Sequence, residues 1–169
     1  MPQTPMDSDE IGKRFFGKYR GAVIDNKDPT GSGKLYVTVP NALGPEEVWA
    51  APCVPYADKN GNGLFMIPPN QSSVWIEFVE GDPSEAVWTG FEWPKGGAPS
   101  ASPDEMVVKT PSGTLRFNVN NTNGDVTLET ETLSLVLRDD TVTLTASSTS
   151  TIKMKGNKTA INGTGLEVE

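Results

Sequence analysis

Between Val126 and Ile161 apolar side chains recur at every second position, and most of what separates them is Thr, Ser, Glu or Lys. Val126 and Leu128 open the pattern; Leu133, Leu135 and Leu137, then Val142, Leu144 and Ala146, then Ile152 and Met154, and finally Ile161 continue it. A period of two places these residues on one side of extended chain, whereas a helix would return its apolar positions every three to four residues. Val126, Leu135, Leu144 and Ile161 are nine, nine and seventeen residues apart. Units of eight or nine residues, each one short strand plus a turn, are the signature of a β-solenoid or a stacked meander. Turn chemistry falls between the strands at Asn123-Gly124-Asp125, Arg138-Asp139-Asp140, Lys155-Gly156-Asn157-Lys158 and Asn162-Gly163-Thr164.

Burial decides what such a segment becomes. Each rung offers two or three aliphatics and no large ring. One thin stripe does not offset a backbone ordering cost of about 1–2 kcal/mol per residue. Three copies wound about a common axis would bury three stripes in one dry core and leave Thr and Ser outside. The pattern therefore predicts an obligate oligomer, most simply a homotrimer, with Val126, Leu128, Leu133, Leu135, Leu137, Val142, Leu144, Ile152, Met154 and Ile161 as its core.

The first half has another composition. All four Trp, all three Tyr and five of the six Phe precede residue 98, and thirteen of the fourteen Pro fall by Pro103. The stretch from Lys95 to Pro103 is Gly, Ser, Ala and Pro with one charge, the composition of a linker. The expected organisation is an arm over 1–16, a first domain over 17–95, a linker over 96–105 and the repeating segment over 106–169. Gly17–Ile24, Lys34–Val39, Val74–Val79 and Glu85–Phe91 read as strands. Leu35, Val37 and Val39 alternate with Lys34, Tyr36 and Thr38 in the clearest of them. Roughly five strands in about 80 residues fit a small closed barrel, which leaves no exposed sheet edge.

Most enzyme chemistry is excluded by what is missing. The chain has no His, removing the commonest general base, metal ligand and pH switch together. Its single cysteine, Cys53, forms neither an intramolecular disulfide nor a CxxC zinc site and, beside Pro52 and Val54, reads as a small buried hydrophobe. A net charge of −8 disfavours nucleic acid, and the first 97 residues alone carry 8 basic against 13 acidic groups. Nothing at the start resembles a secretory signal and no apolar run is long enough to span a membrane, so synthesis in the cytoplasm is expected.

The blocks of the first half resemble a known family. They are Gly17-Lys18-Tyr19-Arg20-Gly21, Val23-Ile24-Asp25-Asn26-Lys27-Asp28-Pro29 with Gly31, Gly33 and Lys34-Leu35, and Val37-Thr38-Val39-Pro40. Trp49-Ala50-Ala51-Pro52-Cys53-Val54-Pro55-Tyr56, Gly63-Leu64-Phe65-Met66-Ile67-Pro68-Pro69, Val74-Trp75-Ile76-Glu77-Phe78 and Gly81-Asp82-Pro83 follow, with Trp88-Thr89-Gly90 and Trp93 last. In this order they are similar to the OB-fold domain of contractile-tail spike proteins: phage baseplate assembly proteins, type VI secretion spikes of the VgrG kind and spikes of extracellular contractile injection systems. The resemblance implies an all-β chain, an N-terminal OB-fold barrel followed by a C-terminal intertwined triple-stranded β-helix. It implies a non-enzymatic homotrimeric spike on the baseplate of an assembled particle, exposed or extracellular on firing. Such a spike contacts the target membrane only mechanically, as sheath contraction drives it through, and needs no cofactor.

Departures from the family pattern refine the expectation. VgrG-type chains carry a hub domain before the OB-fold; about sixteen residues stand there in this chain, which implies a separate trimeric hub protein above the barrel. The linker is too short for the lysozyme domain that some phage relatives insert. Some short phage spikes bind iron at a His-bearing tip, which a chain without His does not do. Strand-like alternation runs to the end, so a separate PAAR-type tip protein is expected to cover Leu166, Val168 and Glu169.

Other motifs yield to ordinary readings. Gly31-Ser32-Gly33-Lys34 is like the end of a phosphate-binding loop, but Asp28 and Leu35 stand where the motif needs Gly and Ser or Thr. Asp58-Lys59-Asn60-Gly61-Asn62-Gly63 opens like a calcium loop, yet Pro69 occupies the place of the bidentate Glu. Both read as turns, and Asp139-Asp140 as solvated turn carboxylates. Sequons begin at Asn70, Asn120, Asn157 and Asn162 and read as turn Asn. Trp75 and Phe78 could stack bases but read as core. Catalytic, cofactor and metal residues are thus none. Two other functions fit less well: an OB-fold module for nucleic acid or oligosaccharide with a flexible tail, and a polysaccharide-active fibre, for which the second half shows no acid pair among aromatic platforms.

Overall fold

The aliphatics of the clearest strand pattern, Leu35, Val37 and Val39, are fully buried, while Tyr36 and Thr38 between them lie nearer the surface. The computed structural model describes residues 13–118, 124–147, 150–162 and 166–168. The chain divides into two units, one ending at Pro94 and the other beginning at Lys95. In the first, β1 (Tyr19–Asp25), β2 (Leu35–Thr38), β3 (Glu47–Pro52), β4 (Ser73–Phe78) and β5 (Ala86–Phe91) close into a barrel ordered β1-β2-β3-β5-β4. The pairings are antiparallel except that of β3 with β5, which is parallel at Ala51–Val87 and Pro52–Trp88. Five strands closed in this way form an OB-like barrel.

A single helical turn, α1 (Pro40–Leu43), links β2 to β3. Pro40 at its start has no N–H to leave unsatisfied there. Inside the barrel Val23, Leu35, Val37, Ala50, Val74, Ile76 and Trp88 meet in one core. The buried Trp88 indole donates to the Gly33 carbonyl at 3.0 Å, tying β5 to the β1–β2 loop. Gly21 permits the tightest approach: a Cβ there would stand 2.8 Å from the Thr38 carbonyl oxygen and 3.1 Å from Ile76 Cγ1. Phe15 is also buried, edge-on to Tyr19 and tilted against Phe78, and its amide donates to the Gly81 carbonyl.

Two side chains lie elsewhere than the sequence suggests. Trp75 is not core: Val74, Ile76 and Phe78 take the inner positions of β4, and Trp75 lies under the Arg20 guanidinium, 4.9 Å from its ring centroid. Phe78 is buried as expected. Cys53 is exposed rather than buried. Parallel pairing ends at Pro52, and at the rim the Cys53 amide donates to the Trp88 carbonyl while its thiol stays outside the core.

The second unit is a single antiparallel sheet. Its strands are β6 (Glu105–Thr110), β7 (Gly113–Asn118), β8 (Asp125–Glu129), β9 (Leu133–Arg138), β10 (Thr141–Ala146), β11 (Ser150–Lys155), β12 (Lys158–Ile161) and β13 (Leu166–Val168). They lie side by side in chain order, each pairing with its sequence neighbours. The structure thus takes the meander form of the eight-to-nine-residue repeat. Antiparallel reversal replaces a constant spacing by unequal ones: Leu128, Leu135, Leu144, Ile152 and Ile161 share one row, and Val126, Leu137, Val142 and Met154 the next.

Candidate functional site

Residues paired across an antiparallel ladder share a face, so the register assigns every described side chain of this sheet to one side. On one side Val108, Leu115, Leu128, Leu135, Leu144, Ile152 and Ile161 form an unbroken central row. Met106, Phe117, Val126, Leu137, Val142 and Met154 flank it in register, and Leu133 stands beside Ala146 on the other flank. The opposite side holds Glu105, Arg116, Asp125, Glu129, Arg138, Thr141, Thr143, Lys153 and Lys155, with Val107, Val136 and Ala160 as its aliphatic exceptions. The sheet is amphipathic from β6 to β12.

Among the described residues of this unit no layer covers the apolar side. Leu128 is 50% exposed, Leu133 49%, Leu137 43% and Met154 43%. Among the described side chains of the sheet the buried ones are Thr114 and Asp125, both polar. On the polar side, by contrast, the charges of β6–β9 pair with one another: Arg116 pairs with Glu105 and reaches Glu129, and Arg138 donates to the Asp125 carboxylate at 2.6 Å.

All ten residues expected to form a core, from Val126 to Ile161, lie on that one face. Met106, Val108, Leu115 and Phe117 extend it, and sequence reasoning missed them. Val107 between Met106 and Val108 breaks the alternation, and Phe117 stands apart from the aliphatic repeat. Of the residues expected at the tip, Leu166 and Val168 pair with Ile161 and Thr159 through β13, while Glu169 lies outside the described residues.

The motif-like turns of the barrel are turns. Asp28 folds the β1–β2 loop on itself: its carboxylate accepts from the Thr30 amide at 2.8 Å, the Thr30 hydroxyl at 2.7 Å, the Ser32 amide at 2.7 Å and the Lys34 amide at 3.1 Å. Partial desolvation opposes ionisation of Asp28, but these donors, Thr30 foremost, more than reverse it and hold the carboxyl well below the usual range. The loop amides are thus occupied by the protein's own carboxylate, which leaves no phosphate cradle. Asp58 accepts from the side-chain and backbone N–H groups of Asn62 and from the Asn60 amide, which likewise lower its pKa. Asp139 and Asp140 form the β9–β10 turn, Asp139 at φ +52°. Among sequon residues, Asn162 accepts from the Thr151 amide and Asn120 lies outside the described residues. Among the described residues no three His, Cys, Asp or Glu side chains cluster as metal ligands, and no helix is long and apolar enough to cross a membrane.

A closed OB-like barrel followed in the chain by a one-sidedly apolar β-meander defines a class: an all-β protein with one conspicuous exposed apolar face. Residues 19–93 match the family model of the Type VI secretion system/phage-baseplate injector OB domain. The match covers the barrel and supports its reading as a baseplate-spike OB domain. No curated protein matches the chain.

Proposed function

We propose that the protein is the central spike of a contractile injection system, a non-enzymatic part that is pushed through a target envelope. The observation that carries this reading is the uncovered apolar face of β6–β12, downstream of an injector OB domain. The occupant we assign to that face is the same face of two further copies, in a triple-stranded β-helix. The barrel forms the collar above it, beneath a separate trimeric hub protein, and a PAAR-type tip protein meets the β13 end.

Magnitudes support self-association. Burying an aliphatic side chain fully contributes about 1.5–3 kcal/mol, and those of this face are already half to two-thirds covered or more. The ten expected core residues therefore gain roughly 5–10 kcal/mol per chain on being enclosed, enough to compete with an association cost of about 4–15 kcal/mol. A third copy is favoured over a second because the central row is flanked on both sides. Three such faces meet around a line, whereas two flat ones leave their flanks open. A rod that has its backbone paired presents little to impede passage through lipid.

The test is the native mass of the full chain by light scattering at micromolar concentration. Three times the 18.1 kDa chain is expected. A stable monomer would overturn the reading.

A further inference from the structure

The barrel closes on itself, yet one of its rims stays apolar and open. β3 and β5 run parallel, so the loop after Pro52 leaves the barrel at the rim where β5 also ends. Gly31–Lys34 enter β2 at the same rim, because β2 is antiparallel to β3. Between these loops lies a cleft with Pro52, Val54, Ile67 and Trp88 along it. Four more of its lining side chains stand half or more in solvent: Tyr56 is 57% exposed, Leu64 50%, Phe65 77% and Met66 50%. This exposure is held in place. The Leu64 amide donates to the Tyr56 carbonyl at 3.0 Å and the Asp58 amide to the Asn62 carbonyl at 2.8 Å, which makes residues 56–64 a short hairpin. Gly63 is required where it closes, since a Cβ there would stand 2.6 Å from the Tyr56 carbonyl oxygen. The Phe65 ring rests against the β1–β2 loop, 3.4 Å from where a Cβ of Gly33 would stand. Side chains fixed in this way lose little freedom when something covers them.

Area selects the occupant. Tyr56 and Phe65 expose roughly 100–150 Å² each and Leu64 and Met66 about 50 Å² each, together roughly 300–400 Å². A stable interface between free proteins takes about 800 Å² from each side. The patch is therefore half of what an independent partner needs, whereas copies already joined elsewhere need less, because a short connection holds a second contact at about millimolar effective concentration. Residues 92–104 are such a connection, leading from β5 to β6. We propose that this rim is a barrel-to-barrel contact between copies of the chain, with Phe65 and Met66 of one barrel seated against the Tyr56–Leu64 hairpin of the next. The inference rests on the spike reading, in which three chains are joined through their meanders. Each chain leaves its barrel by the β5 end, so the rims nearest the junction are the ones that carry the patch. A head-to-tail contact of this kind closes as a ring of three, and the ring makes one collar of three barrels.

Cys53, the single cysteine, is exposed between Pro52 and Val54 of the cleft and reports whether the rim is covered. The experiment is the rate at which Cys53 of the full-length protein reacts with a maleimide, with native mass measured on the same samples. A contact of about 0.1 mM affinity at about 1 mM effective concentration is closed about nine-tenths of the time, so Cys53 in the parent trimer should react about tenfold more slowly than in Leu135→Asp, whose charged meander face keeps the chains apart. F65S/M66S should remain trimeric and react as fast as Leu135→Asp. Adding F65S/M66S to Leu135→Asp should change nothing, because both side chains are already in solvent there. Hydrogen exchange over residues 56–67 should follow the same pattern without a label. A trimer whose Cys53 is as open as that of the separated chain overturns the proposal and leaves the cleft to another protein. So does slow reaction that persists in trimeric F65S/M66S, or co-sedimentation of the trimer with phosphatidylcholine vesicles that F65S/M66S abolishes, which would assign the loop to lipid. Native mass separates the two readings: a trimer with an open Cys53 sinks this inference alone, and a parent that is a monomer sinks the spike reading and this contact with it.

Discussion

The barrel and the meander are both antiparallel in the main and both built on alternation, yet they dispose of their apolar side chains in opposite ways. In the barrel closure turns every inward residue toward others of the same unit, and Leu35, Val37, Val39, Ala50 and Ile76 are each 0% exposed. In the meander the strands never curl back, so Leu128 and Leu133 remain about half exposed although their backbone partners are complete. Hydrogen bonding is thus satisfied in both units, whereas burial is completed in one. Backbone pairing fixes register, and only the layer packed on the sheet gives it stability.

The sharpest way to break this comparison is to charge the open face. Leu135→Asp sits in the central row, between Leu128 and Leu144. In a trimer it would place three carboxylates in one dry core, where desolvation and mutual repulsion each cost several kcal/mol. Loss of the oligomer is expected, read as a fall in sedimentation to the monomer. Thr143→Asp on the opposite face, beside Lys153, should leave the native mass unchanged. An oligomer that survives Leu135→Asp would refute the assignment of that face as its core.

Next in size are changes inside the closed unit. Ile76→Ala removes a fully buried side chain and should destabilise the barrel by about 2–5 kcal/mol. All four Trp lie before residue 98, so intrinsic fluorescence reports this unit without interference from the sheet. The expected result is a lower fluorescence midpoint with an unaltered native mass. Gly21→Ala should follow, at about 1–3 kcal/mol, because its Cβ would press on the Thr38 carbonyl, a backbone atom with no rotamer to move to. A neutral Gly21→Ala would mean that β1 shifts freely against β2, contrary to a closed barrel.

How much of this could be read in advance differs between the units for a physical reason. The meander announces itself because its period-two pattern is interrupted only by turns, and the ten aliphatics from Val126 to Ile161 emerged on one face with no error of parity. Its β6–β7 end did not, since Val107 and Phe117 disguise the same alternation. In the barrel, Leu35, Val37 and Val39 were legible, but β3 was not. Val48-Trp49-Ala50-Ala51 is apolar without alternation, because Trp49 covers the outside against Tyr36, at 5.1 Å between ring centroids. Trp75 misled for a related cause: an aromatic in a strand is as content beneath an arginine as in a core. Cys53 misled because hydrophobic neighbours in sequence say nothing about where a strand ends. The pairing of β3 with β5, a contact between residues 36 apart at Ala51–Val87, decides that, and no local pattern encodes it.

The smallest expected effect concerns acid, and it also separates the units. Four barrel carboxylates are held below their ordinary values: Asp28 by the Thr30, Lys34 and Ser32 donors acting against its desolvation, Asp58 by Asn62, Asp82 by the Ser84 hydroxyl and amide, and Glu92 by the Arg20 guanidinium. A group whose pKa is depressed by folding stabilises the native state at every pH above its unfolded value, about 3.9 for Asp and 4.3 for Glu. That contribution is lost as pH falls through the folded value, so the fluorescence midpoint should be flat above about pH 5 and decline below about pH 4. All four are at the surface, which keeps the decline shallow and makes it shallower still where salt screens the Arg20–Glu92 pair. Asp28→Asn tests the largest member. One oxygen of that carboxylate serves the Ser32 and Lys34 amides, and an amide NH2 in its place would face two donors with a third. The variant should lower the midpoint at neutral pH by less than Ile76→Ala does, and should respond less to acid than the parent. A parent barrel whose midpoint does not change between pH 6 and pH 3 would show that these turns close for steric reasons and that their carboxylates are bystanders.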